Sequence, residues 1–488
     1  MKYRFAVWII IWIQAGLSYG QSLPWYAVNG QDVSAAISIN PAYLFNTDLN
    51  SSFNISSVKV DYNNNFGYFL NKSFFDLMFN MTDVSVPELE FKKLGFDPAV
   101  GIDRDLVGYE MKLNETDLSK IYFSTSFKYS GPGYYKREEN GFNWGVTSGL
   151  EAIGGANNYP SQITYGPYRR YAKSDIVRVG KFNGYGEALL NVGFTGSYEY
   201  KVDPKYRLSF GGTIRYIGSL AHFSMSSDEV INQLIFLTRD DVQASNLKVE
   251  YQYSHSGPDE LKEIKLGGNG IGGDLGIYFD RRLNFPQVSF FRGGISLTGL
   301  GAIWYGKNMR SGIFNINTPT ELSFGKFDKF EGFDQLIDSF EYYITKSPEN
   351  SHKRKTGGVS YTPANIQFTL GCGFMNYGRV HFYFSSPIVQ WSPEAIQIGL
   401  VPELTFRMLN ILVPFSYNQW TGFRLGAGIN LSFLTIGTDD VRTFRTREQL
   451  KSGSFYVGIN LNKYIKKVRK NKQQLSNTYH TEFMLGVM

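Results

Sequence analysis

The chain has 488 residues, 42% of them hydrophobic, yet a mean hydropathy of −0.24, with 51 glycines, 33 tyrosines and 39 phenylalanines. Its 49 basic and 43 acidic side chains leave a net charge of +6, much of it gathered between Lys463 and Lys472, which argues against a nucleic-acid-binding face. The single cysteine, Cys372, excludes an intramolecular disulfide, and with it a small stapled extracellular module.

Lys2 and Arg4, an apolar core from Phe5 to Ile13 and the small-x-small site Ser18-Tyr19-Gly20 predict a secretory signal peptide over residues 1–20. No apolar run of 18 residues follows, which excludes a helical membrane protein. Residues 21–50 alternate little and contain Asn40-Pro41-Ala42; they are expected either as a plug-like segment inside or beneath a barrel or as an ordered N-terminal coil.

Period-2 alternation then predicts strands at 53–62, 121–129, 142–150, 188–201, 206–219, 275–279, 288–297, 366–374, 379–385, 396–406, 411–417, 423–431, 434–438 and 455–461. The pair at 188–219 is the clearest. Leu190, Val192, Phe194, Tyr198 and Tyr200 share one parity, with Asn191, Gly193, Thr195, Ser197, Glu199 and Lys201 on the other, and Asp203-Pro204-Lys205 turns the chain. The first strand changes phase near Ser56-Ser57, which predicts a bulge. Pro402 lacks an N–H and predicts a bulge or a missing ladder bond in the tenth. Leu434 and Ile436 fall out of phase with Phe423 to Leu431, so a tight turn is placed at Ser432-Phe433.

Connections alternate between short turns and mostly longer loops, the pattern of an antiparallel outer-membrane barrel with both termini on the short-turn side. In the loops, Glu229–Leu237 and Phe333–Ile344 have helical spacing, whereas Leu247–Tyr253 alternates like an extra strand above the membrane. The fold expected is all-β: a closed antiparallel transmembrane β-barrel of about fourteen strands over residues 51–463, with a basic periplasmic tail over 464–488. The wet parity is rich in Gly, Ser, Thr and Asn with sparse charge, which suits a lumen better than a sandwich face in bulk water. Lys128, Glu199, Lys201, Arg215, Glu403, Arg407 and Arg424 are the candidate lumen-lining charges.

Chemistry-bearing motifs are weak. Gly268 to Gly273 satisfies GxGxxG but leads straight into a strand, so it serves strand bending rather than a dinucleotide. Five scattered histidines show no metal-ligand spacing, no nucleophile elbow occurs, and Asp240-Asp241 and Asp439-Asp440 are read as solvated loop pairs. No catalytic residue, metal or cofactor is assigned, and no enzyme activity is expected.

Ile39-Asn40-Pro41-Ala42, Gly211 to Tyr216, Gly270 to Tyr278, Gly426 to Asn430, Ile436 to Asp440 and Ser454 to Ile459 resemble a Bacteroidota family of outer-membrane barrels of unknown function, across nearly the whole mature chain. More distantly, the chain is similar to the long-chain fatty-acid transporter barrels, which also have fourteen strands and an Asn-Pro-Ala near an N-terminal plug. It is also similar in plan to barrel subunits of the type IX secretion and gliding machinery. These resemblances imply a Gram-negative outer-membrane location with lipid as partner. They imply no substrate; the function expected first is passive uptake of a small hydrophobic molecule past a plug carrying Asn40, Pro41 and Ala42. A non-transporting scaffold barrel is the alternative, and a secreted soluble β-rich binding protein a weaker one; no nucleic acid or defined protein partner is implied.

Overall fold

The computed structural model describes residues 25–30, 32–45, 49–65, 67–69, 111–113, 120–160, 176–203, 205–227, 232–236, 241–255, 265–283, 285, 287–323, 333–374, 377–389, 392, 394–406, 409–444 and 452–464. The predicted signal peptide and residues 465–488 of the basic tail lie outside them; Tyr464, where the tail was expected to begin, is the last residue of a strand.

Fourteen strands close into one antiparallel barrel. They are β1 (Leu49–Asn64), β2 (Lys120–Ser130 continued by Gly133–Arg137), β3 (Phe142–Pro160), β4 (Phe182–Lys201), β5 (Tyr206–Ser227), β6 (Gly268–Arg282) and β7 (Val288–Trp304). The circuit continues with β8 (Val359–Tyr361 and Asn365–Phe374), β9 (Gly378–Pro387), β10 (Gln397–Thr405), β11 (Leu409–Leu412 and Phe415–Asn418), β12 (Gly422–Leu425 and Ala427–Leu431), β13 (Leu434–Thr438) and β14 (Ser452–Tyr464). Each pairs with the next, and β14 returns to β1 through Val58↔Val457 and its neighbours, so no edge is left with unpaired backbone groups.

Burial is inverted relative to a soluble protein. Ile214, Leu275 and Phe423 are 66%, 63% and 79% exposed, whereas Thr195, Thr213 and Asp274 on the opposite parity are 0%, 5% and 3% exposed. An apolar belt that faces outward around a polar interior is stable where hydrocarbon replaces water, so the greasy parity of the 188–219 hairpin faces lipid.

The bulge in β1 lies between Asn54 and Ser56 and moves the inward set from Ser52 and Asn54 to Ser57, Lys59, Asp61 and Asn63. The turn at Ser432-Phe433 joins β12 to β13 with Ala427 opposite Thr438, as the phase break requires. Pro402 makes no bulge against β9, where it faces Val380 in unbroken register. Its carbonyl accepts from Val413 N, but the ladder to β11 lapses at Val401 and Pro402, opposite Val413 and Pro414, where the ladder bond was expected to be missing.

At the long-loop end the sheet grows past the barrel. Leu247–Tyr253 pairs with the far end of β5 and with Arg310–Ile316, which pairs in turn with Ser351–Thr356. The helix over Phe333–Ile344 buries Ile337 and Ile344 against Phe314, Tyr251 and Tyr253, which gives this outer layer its own core. The helix expected over 229–237 is not found at its described residues: Asn232–Phe236 is a strand, paired on one side with Asp241–Ser245 and on the other with Ile176–Val179. Two available strand partners outweigh a helical spacing only two turns long, because isolated short helices are marginal.

Asp439 and Asp440 are not a solvated pair, since each is 1% exposed. Asp439 lies 3.5 Å from Arg424 and Asp440 2.7 Å from Arg442, so burial is offset by guanidinium partners.

Candidate functional site

The lumen is occupied from within by the chain's own residues 25–45. Asp32 starts helix α1 (Val33–Ile39): its Oδ1 accepts from Ala35 N and Ser34 Oγ, each at 3.0 Å. Asn40 ends the helix in extended backbone, the conformation favoured before proline, and Pro41 begins a 3-10 turn over Pro41–Phe45.

Asn40 is anchored to the wall. Its Nδ2 donates to Ile277 O at 3.1 Å and Ile295 O at 3.2 Å, on β6 and β7, while its Oδ1 accepts from Ala42 N at 2.9 Å. Every hydrogen-bonding atom of the carboxamide is thereby used in a residue 1% exposed. The approach is close because three inward positions are glycine. A methyl at Gly276 would overlap the Asn40 carboxamide, one at Gly294 would lie 2.8 Å from its nitrogen, and one at Gly211 would overlap the Pro41–Ala42 backbone. Ser296 Oγ adds a bond to Ile39 O.

Across the lumen a second anchor holds the start of the segment. Tyr26 stacks on Tyr456 of β14 with centroids 3.6 Å apart and planes 5° apart, and Tyr456 OH donates to Asp32 Oδ2. Trp25 lies over the register pair Gly428 and Gly437, where any β-carbon would meet its ring.

On the long-loop side of this segment lies a cavity of ≈ 120 Å³, bounded below by Tyr26, Ser38 and Ile39. Lys59, Lys128, Glu151, Asn191, Arg215, Asn365 and Glu394 contribute to its walls. A second space, ≈ 70 Å³, shares Lys128, Glu151, Asn191 and Arg215 with the first and continues along α1 to Ser34, Asn54 and Tyr135. A third, ≈ 20 Å³, begins on the other side of Tyr135, among Val33, Leu49, Arg137 and Asn143. The three form a discontinuous path along β1, β2 and β3, beside the helix.

Of the charges singled out from sequence, Lys128 and Arg215 share the first two spaces. Arg215 also pairs with Asp274 at 2.5 Å. Glu199 pairs with Arg137 at 2.8 Å and Arg207 at 3.5 Å near the short-turn end, where Lys201 is exposed. Glu403 is held by His381 at 2.8 Å and Arg379 at 3.5 Å, and Arg424 belongs to the Asp439 contact. Arg407 lies outside the described residues. Asn40, Pro41 and Ala42 form the anchor described above.

Glu151, Lys59, Asp274 and Glu394 were not singled out. The predicted third strand stopped at Leu150, yet Glu151 continues the inward parity of Asn143, Gly145, Thr147 and Gly149, which was the available signal. No group of three or more metal-ligating side chains occurs among the described residues.

Comparison with curated proteins finds no match. Among solved structures, the chain is similar to the toluene transporter TbuX of Ralstonia pickettii, at 12% identity and TM-score 0.37, covering 92% of this chain and 95% of that one. It is similar to the toluene transporter TodX of P. putida at 10% identity and TM-score 0.39, covering 92% and 96%. A FadL homologue of Pseudomonas aeruginosa matches at 9% identity and TM-score 0.37, covering 87% and 93%. The profile of the "Family of unknown function (DUF5723)" matches residues 41–439, and the chain belongs to that family.

Proposed function

We propose that the protein is an outer-membrane barrel for passage of a small solute, held shut by residues 25–45 acting as a plug. The observation that carries this is the double anchoring of the segment, by Asn40 on β6 and β7 and by Asp32 on Tyr456, beside spaces of ≈ 120 and ≈ 70 Å³. A barrel needs no such filler to stand, since its strands satisfy one another's backbone groups. A filler seated on polar contacts, with space on one flank, suits a device that shifts.

A small hydrophobic solute, the expectation from sequence, would need an apolar route. Ile39, Ile153, Leu189 and Ile217 line the first space, but they share its walls with Lys128, Glu151 and Arg215, and an apolar molecule there would strip water from those charges at a cost of several kcal/mol. A polar solute is the better-supported reading.

Liposome swelling with purified protein and a small sugar tests the proposal. The wild type is expected to admit the sugar slowly, and a variant lacking residues 25–45 to admit it fast while keeping the heat-modifiable gel migration of a folded barrel. Equal permeability of the two overturns the plug and leaves a scaffold barrel as the reading.

A further inference from the structure

Lys128 and Glu151 stand directly opposite each other on β2 and β3, both facing the lumen cavity. Opposite charges in that position ordinarily pair. Here no ion pair within 4 Å joins them, and neither has another ionic partner among the described residues, although the neighbouring lumen charges do: Lys59 with Asp61 at 3.0 Å and Arg215 with Asp274 at 2.5 Å. Glu394 is likewise engaged, accepting from Asn365 Nδ2. The cavity therefore holds one uncommitted cation and one uncommitted anion side by side.

Asn191, Asn365 and Gln367 add neutral carboxamide side chains to the same walls. The sum of charges also selects. Lys59, Lys128 and Arg215 oppose a polycation, and Glu151 and Glu394 oppose a polyanion, whereas an apolar occupant would leave Lys128 and Glu151 desolvated and unpaired.

We infer that this cavity binds a small zwitterion carrying a carboxylate and an ammonium group, of the size of an amino acid or a short peptide. The carboxylate meets Lys128 Nζ, and the ammonium meets the Glu151 carboxylate. Binding in this form rests on the cavity alone and does not require that the solute cross the barrel, so occupancy is read by titration and passage separately by swelling.

The test is calorimetric titration of the full-length protein in detergent with glycylglycine, with N-acetylglycylglycine, which lacks the ammonium, and with glycylglycine amide, which lacks the carboxylate. Glycylglycine is expected to bind saturably and each single-charge analogue about tenfold or more weaker. Lys128→Met and Glu151→Gln are each expected to weaken glycylglycine by a similar factor, and the exchange variant Lys128→Glu/Glu151→Lys to retain binding, because it preserves one charge of each sign. The proposal is overturned if glycylglycine does not bind up to about 10 mM, or if either analogue binds as well as the dipeptide. The analogue series uses only the native protein, so the result stands even where a variant fails to fold.

Discussion

Gly276 lies directly beneath the carboxamide of Asn40, with room between them for a hydrogen atom but not for a methyl group. That contact joins a segment near the amino terminus to strands more than two hundred residues later. Gly276→Ala is therefore expected to push Asn40 off the Ile277 and Ile295 carbonyls. It should destabilise the seated segment by about 1–3 kcal/mol, the usual range for overpacking, while the barrel stays closed. Limited proteolysis within 25–45, compared with heat-modifiable migration, reads the two effects separately. In an Asn40→Ala background the same glycine substitution should cost less, since the group it strikes is gone; equal cost in both backgrounds would contradict the contact.

Tyr456→Phe keeps the stack on Tyr26 and removes the hydroxyl that donates to Asp32 and also bonds to Ser57. The loss leaves one oxygen of a buried carboxylate without its donor, worth about 1–3 kcal/mol. Hydrogen exchange over 33–39 should quicken, and in an Asp32→Ala background, where the acceptor is already gone, Tyr456→Phe should cost less than it does alone.

Tyr135 separates the second lumen space from the third, and its hydroxyl is buried without a partner. Tyr135→Ala should join the two spaces and raise the swelling rate for small solutes. Tyr135→Phe should leave both permeability and stability close to wild type, because no hydrogen bond is lost. A rise with Phe as large as with Ala would show that ring volume is not the obstruction.

The outer layer carries a pH dependence of its own. His352 stacks on Phe314 at 4.0 Å, with Tyr251 OH 2.8 Å from Nε2 and Glu341 3.1 Å from Nδ1. Burial pushes its pKa below the ordinary imidazole value, outweighing Glu341, which pulls it up. The folded value is thus lower than the unfolded value of about 6.5. Stability from this group is present above that pH and is lost as pH falls through the folded value. Exchange protection of the helix Phe333–Ile344 should fall on going from about pH 7.5 to about pH 5. His352→Phe, which keeps a ring against Phe314, should flatten that change.

All fourteen strands could be read from sequence because a membrane barrel writes its two faces in opposite chemistries. Ile214 beside Thr213, or Leu275 beside Asp274, states which side meets lipid without reference to any partner. Even the β1 bulge showed as a phase change, since inserting one residue flips every later side chain. The lumen was less legible. Parity identifies Lys128 and Arg215 as inward but says nothing of height, and height decides that these two share a space while Glu199 sits near the turns. Gly211, Gly276 and Gly294 read in sequence as pliant strand residues. Their role emerges only once Asn40 is seen against them, because that contact links residues far apart in the chain. The loops misled where pairing overrode local spacing, as at Asn232–Phe236.

The seating of residues 25–45 also bears on the order of assembly. Asn40 needs the β6–β7 pair, and Asp32 needs Tyr456 on β14, 424 positions further along the chain. Contacts of such separation form late, after the intervening loops have closed. The segment therefore cannot settle until the circuit from β1 to β14 is nearly complete, and its arrival reports that the wall is whole. A barrel with one strand out of place is expected to leave the segment loose and open to protease, so the protection of residues 25–45 tells a finished wall from an unfinished one.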